Sequence, residues 1–223
     1  FHLNLNLEGA AQRYDFNMYV RLLVDFCNND LSAFYFDVRK DILYCDVHAL
    51  TGAQSNSRKA YRTVLDIVFR SLVRWCAPVL VFTAEEVWVC RYPDGGSVHL
   101  AEWPEIEGPW HDPAISQMMQ PYLLARSEII EAIEPLRRDK VVRSSLEAAV
   151  VYPWANLQAN FETATTMDLA LLADLAIVSK VTPGDVLSVT KSDNKKCGRC
   201  WRYLPEVTGD GALCARCEGV LNG

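Results

Sequence analysis

Two C-x-x-C pairs, Cys197-Gly198-Arg199-Cys200 and Cys214-Ala215-Arg216-Cys217, stand thirteen residues apart near the end of the 223-residue sequence. Each pair can turn two sulfurs toward one point, and the loop between them is long enough to bring the chain back. Four thiolates converging on a tetrahedron favour zinc. The loop carries Pro205, Gly209 and Gly211 and little apolar content, so metal binding is expected to supply the folding energy of the segment. With all four sulfurs bound, no coordination position is left for water, and the ion is expected to be structural rather than catalytic. Two disulfides, a redox pair and an iron–sulfur centre are weaker readings. The opening residues do not read as a secretory signal, and Cys27, Cys45, Cys76 and Cys90 are expected in apolar helical surroundings that suit buried free thiols.

Trp201 follows the second cysteine directly, with Arg199 and Arg202 on either side and Tyr203 next. An aromatic held on a metal-fixed turn beside cations can stack an unpaired base, worth roughly 1–3 kcal/mol. The competing role is packing the metal segment against its neighbours, since such a segment has no core of its own. Two basic stretches are candidate phosphate contacts: Arg137, Arg138, Lys140 and Arg143, and Lys191, Lys195, Lys196, Arg199 and Arg202. Solvated basic faces are the plainer alternative for both. The formal charge is −6, so any contact with nucleic acid must come from local patches, not the summed field. No glycine-rich phosphate loop and no H-x-G-H quartet occur, and His2, His48, His99 and His111 read as lone residues without a nucleophile to serve.

The elements that must carry these groups read as helices first and a mixed unit later. Half of the residues are hydrophobic and about a fifth charged, which suits a globular chain. Arg13 to Tyr44 has apolar residues at helical spacing (Tyr19, Leu22, Leu23, Phe26, then Leu31, Phe34, Tyr35, Val38), and Asn28-Asn29-Asp30 is expected to cap the junction of a helical hairpin. A polar gap, Thr51 to Asn56, precedes a third helix opening at Ser57 and interrupted by Pro78. Thr83-Ala84-Glu85-Glu86 has the capping-box pattern for a fourth. The bundle is expected to bury Trp75, Phe82 and Trp88. Breakers crowd the stretch from Tyr92 to Pro113. A fifth helix is expected from about Pro121 to Arg138, with Leu124, Ile129, Ile130, Ile133 and Leu136 inward. Ala148–Tyr152 and Asp185–Thr190 then read as strands, and Met167–Leu175 as a helix. The expected fold is mainly α, divided as a helical bundle over 1–112, a helix plus small α+β unit over 113–190, and a metal-binding element over 191–223. The opening Phe1 and the alternation His2 to Leu7, without an initiator Met, suggest part of a longer protein. No apolar run approaches a membrane span.

Asp25-Phe26-Cys27 through Asp30-Leu31-Ser32-Ala33-Phe34-Tyr35-Phe36-Asp37-Val38-Arg39-Lys40-Asp41 closely resembles the anticodon-binding helical domain of bacterial isoleucyl-tRNA synthetases, of class I. Ala77 through Trp88 is similar to a segment shared with the valyl and leucyl enzymes. Arg143-Ser144-Ser145-Leu146-Glu147-Ala148 resembles the segment that joins the helical domain to the carboxy-terminal unit, and Lys196-Cys197 through Cys200-Trp201 the terminal zinc knuckle. The order of these segments favours the isoleucyl family. The resemblance implies a parent enzyme joining isoleucine to its tRNA through an ATP-derived adenylate, with ATP, Mg²⁺ and the editing site in domains before Phe1. This chain would then recognise the tRNA's anticodon side, with Arg137, Arg138, Lys140, Lys195 and Lys196 near the phosphates. The expected partners are the tRNA for isoleucine and the remainder of the polypeptide, in a cytoplasmic monomer. A zinc-ribbon module that binds protein instead of RNA is the alternative.

Overall fold

A computed structural model describes residues 1–45, 56–106, 110–153, 168–209 and 211–222. The described residues fall into two compact units, the first made of 1–43 and 56–112, the second of 44, 45 and 113–222. The polar gap expected between Thr51 and Asn56, His48, Gly108, Pro109 and Met167 lie outside the described residues, apart from Asn56 itself.

The first unit is helical: α1 (His2–Gln12), α2 (Phe16–Asp25), a π-helical segment (Phe26–Phe36), α3 (Asp37–Cys45, whose last two residues belong to the second unit), α4 (Asn56–Cys76) and α5 (Val81–Arg91). The alternating residues at the start form α1, because Leu3, Leu7 and Ala10 recur at helical spacing and pack beside Tyr19 and Trp75. Asp15 caps α2 by accepting from the Met18 N–H. The hairpin expected at Asn28-Asn29-Asp30 is not formed. The chain stays helical from Phe16 to Cys45, and these three residues lie within its π-helical stretch, with Leu31 buried. The capping box also fails: α5 begins at Val81, ahead of Thr83, and the Glu85 carboxylate instead accepts from Ser97 Oγ at 3.0 Å and Val98 N at 2.9 Å. Glu85 thereby pins the irregular stretch that follows the helix.

Tyr19 and Trp75 lock the core of this unit. The Tyr19 hydroxyl donates to the Trp75 carbonyl at 2.7 Å, and Trp75 Nε1 donates to Asn4 Oδ1 at 2.9 Å, all buried. Phe82, expected in the core, is 86% exposed. It sits in the first turn of α5, where Ala84 is the residue that turns inward. Cys90 is exposed for the same reason of helix phase, whereas Cys27 and Cys76 are half-buried.

In the second unit, α6 (Pro113–Arg138) begins eight residues before the expected start; Pro121 lies inside it, buried. Its inward face is Tyr122, Ala125, Ile129 and Ile133; Leu124 is exposed, one helical position out of phase. β1 (Ala148–Pro153) is the centre of a three-stranded sheet, parallel to β2 (Lys180–Gly184) and antiparallel to β3 (Ser188–Lys191). β2 is hidden in the sequence, since Pro183 and Gly184 read as turn residues. Gly184 faces Val151 so closely that a Cβ there would lie 2.3 Å from it, which is why a small residue ends the strand. Between β1 and β2 comes α7 (Leu169–Ala176), capped by Asp168 and closed by Ile177 in the left-handed region. The helix α6 packs on α7 and β3. A two-stranded ribbon, β4 (Lys195–Lys196) with β5 (Tyr203–Leu204), and α8 (Ala215–Asn222) complete the unit. Among the described residues no helix is long and apolar enough to cross a membrane.

Candidate metal centre and basic groove

The β4–β5 ribbon brackets the first C-x-x-C turn, with Lys196 opposite Tyr203. Inside it the Cys197 N–H donates to the Arg202 carbonyl at 2.9 Å and the Trp201 N–H to the Cys197 carbonyl at 3.1 Å, closing a tight knuckle. The second pair is delivered by the start of α8. Gly198 must be small, because a Cβ there would lie 2.6 Å from the Gly211 carbonyl oxygen, and its N–H donates to the Ala212 carbonyl at 3.0 Å.

This packing brings the sulfurs of Cys197, Cys200, Cys214 and Cys217 within 4.8 Å of one another, all buried. Sulfurs on a tetrahedron with metal–sulfur bonds of about 2.3 Å stand about 3.8 Å apart, and Cys200 Sγ lies 3.8 Å from Cys214 Sγ. A disulfide needs roughly 2.05 Å. The four cysteines are free thiols, so the donor set fits a single metal ion. Burial opposes charge on Cys197, yet N–H donors from Cys200, Arg199 and Cys214 outweigh it and bring its thiol down to about 6. Burial pushes Cys200 up to about 12, reinforced by the sulfurs around it, and Cys217 upward as well. Such a cluster cannot carry four negative charges unaided. A cation that binds must expel the protons, so affinity falls as the pH is lowered.

Trp201, 60% exposed, rides on the knuckle at φ +66°, a left-handed backbone that bulky residues rarely adopt. Lys196 Nζ lies 5.0 Å from the centre of its ring. Packing against the sheet falls to other residues. Tyr203 donates through its N–H to Ser179 Oγ at 2.7 Å and through its hydroxyl to Glu147 Oε1 at 3.1 Å, and Arg202 pairs with Asp174 on α7. Glu147 is buried, accepts the Arg143 N–H at 3.0 Å, and stands 3.9 Å from Lys191 Nζ. Ser179 and Asp174 do not stand out in the sequence, and Glu147 appears there only within the Arg143–Ala148 segment, because a lone acid or serine carries no pattern of its own.

Lys191, Lys195, Lys196, Trp201 and Tyr203, with Asp193 as the one acid among them, line a groove of about 610 Å³. Arg199 and Arg202 turn to protein partners instead: Arg199 reaches the carbonyls of Tyr44 and Cys45. Arg137, Arg138, Lys140 and Arg143 border a separate shallow hollow of about 550 Å³ at the end of α6. Among the histidines, His2 and His111 lie 3.2 Å apart between their Nε2 atoms, and His99 meets the Val81 carbonyl at 3.1 Å. Cys45, read as a core thiol of the helices, is buried against the four-cysteine cluster.

The family model for the anticodon-binding domain of tRNA ligase matches residues 3–152. The chain is similar to proteins named isoleucine–tRNA ligase. It is 47% identical to that of Zymomonas mobilis over 98% of the chain and 23% of the relative, and 41% identical to that of Gluconobacter oxydans over 88% and 21%. The protein of Ruegeria pomeroyi is 37% identical over 93% of the chain and 22% of its own length. The chain thus spans less than a quarter of the length of the relatives it matches.

Proposed function

The chain belongs to the anticodon-binding domain family of tRNA ligases, and on that footing we propose that it is the tRNA-recognition part of a bacterial isoleucine–tRNA ligase. Activation of isoleucine with ATP and Mg²⁺, transfer to the tRNA and editing belong to other parts of the parent polypeptide, a cytoplasmic monomer. Within the chain, 1–112 is the anticodon-binding bundle, 113–190 the junction unit, and 191–223 the metal-binding element. Zinc on Cys197, Cys200, Cys214 and Cys217 holds the knuckle folded and performs no reaction.

The observation that carries the reading is the groove on the knuckle, where an exposed aromatic ring and three lysines, against the single carboxylate of Asp193, line one groove of a chain whose formal charge is −6. Trp201 offers a face to an unpaired base, and Lys195 and Lys196 offer charge to the flanking phosphates. Arg137, Arg138 and Lys140 form a second phosphate-binding surface at their own hollow. Arg199 and Arg202 serve this interface by holding the knuckle, through Tyr44 and Cys45 and through Asp174.

Binding of isoleucine tRNA to the chain, titrated against salt, tests the proposal. Affinity should fall steeply with salt, and replacing Lys195 and Lys196 by Ala should flatten the slope by about one for each phosphate that is no longer neutralised. Trp201→Ala should weaken binding by roughly 1–3 kcal/mol with no change in melting temperature. Absence of binding at low salt would overturn the RNA reading in favour of a protein partner.

A further inference from the structure

Arg199 lies inside the first C-x-x-C turn, yet its guanidinium engages groups that have nothing to do with the groove. Nη1 donates to the Cys45 carbonyl at 2.6 Å and lies 3.8 Å from Cys217 Sγ, and Nη2 donates to the Tyr44 carbonyl at 3.1 Å. Tyr44 and Cys45 are the last described residues of α3, and their two carbonyls, adjacent in sequence, both accept from the one guanidinium. A planar, permanently charged fork suits that pair of acceptors and leaves one N–H aimed at sulfur. The side chain of Cys45 is itself buried with the four cysteines, so the carbonyls that hold the guanidinium are fixed beside the cluster.

We propose that Arg199 is a positioning residue of the metal centre, directing and moderating the Cys217 thiolate through an N–H···S bond while the Tyr44 and Cys45 carbonyls hold its guanidinium in place. The inference rests on the reading of the four cysteines as metal ligands. An N–H donor draws electron density from a metal-bound thiolate, lowers its filled orbitals and makes it less nucleophilic. Partners outside the ligand set typically change metal affinity by about 10–100-fold when removed. Lysine at this position would keep the charge but could not span both carbonyls and the sulfur.

Cobalt(II) is the probe, because its thiolate-to-metal charge-transfer band reports the electron richness of the sulfurs. The chain and its Arg199→Ala, Arg199→Gln and Arg199→Lys variants are loaded with Co²⁺ and compared by absorption, chelator competition and alkylation of Cys217. In Arg199→Ala the band should move to lower energy, affinity should fall about 10-fold or more, and Cys217 should alkylate faster. Arg199→Lys should lie between that variant and the parent. An unmoved band with unchanged affinity in Arg199→Ala overturns the proposal, and so does a lowered melting temperature without a band shift. Arg199→Gln decides by the same criteria if the alanine variant does not fold. Failure of the unmodified chain to give a tetrahedral Co²⁺–thiolate spectrum would sink the metal reading as well, which a null result confined to the variants would not.

Discussion

The helical unit and the four-cysteine end solve the problem of holding a fixed shape in opposite ways. In the first, Tyr19, Trp75, Leu7, Ala10 and Leu23 share one buried cluster, so many side chains each contribute a little, and Tyr19, Trp75 and Asn4 join in a buried hydrogen-bonded chain. At the other end, four sulfurs, Val207 and Cys45 make up the buried cluster, with Leu204, Ala212 and Leu213 at its edge. So small an apolar set cannot offset the entropy of ordering the chain around it. A core built from many weak interactions degrades gradually when trimmed; one built around a single ion should fail all at once.

The sharpest way to break that contrast is to remove the metal. Metal-free chain, or Cys200→Ser, should lose hydrogen-exchange protection across 197–217, a loss on the order of 10 kcal/mol in favourable cases. Protection at Tyr19 and Trp75 should survive. Persistent protection of the knuckle after chelation would show that its apolar packing suffices.

Next in size is Trp75→Ala, expected to cost about 3–5 kcal/mol in urea unfolding, with Asn4 losing its donor. A cost below about 1 kcal/mol, well under the usual range for a buried tryptophan, would mean that the cluster re-packs more readily than its burial implies.

Tyr19→Phe removes the buried donor to the Trp75 carbonyl and should cost about 1–3 kcal/mol at neutral pH. It also sharpens the comparison through pH. Burial, and then nearby Cys76, pushes the Tyr19 hydroxyl up to about 12, above its ordinary value near 10. The protonated hydroxyl therefore contributes stability in full below pH about 10, and that contribution disappears as the pH rises through about 12. Thermal melts across this window should show a steeper loss for the unsubstituted chain than for Tyr19→Phe; identical slopes would place the alkaline sensitivity elsewhere.

Covalent pattern and periodicity determined a good deal. The spacing of Cys197, Cys200, Cys214 and Cys217 predicted their convergence, because two short turns on one loop have few other ways to satisfy four thiols. The run from Ala148 to Tyr152 predicted a strand, and the spacing of Ile129 and Ile133 a buried helix face, since side-chain direction follows directly from the local period. Tertiary structure decided what local rules leave open. Asn28-Asn29-Asp30 continue a helix where their cap chemistry argued for a break, because Leu31 on the same turn has a core to enter. Phe82 faces out and Ala84 in, a difference of helix phase that composition cannot supply. Whether Arg199 meets solvent or the carbonyls of Tyr44 and Cys45, 154 and more residues distant in sequence, depends on where the chain returns in space. A cation's type is written in the sequence; its partner is set only when the fold brings an acceptor within reach.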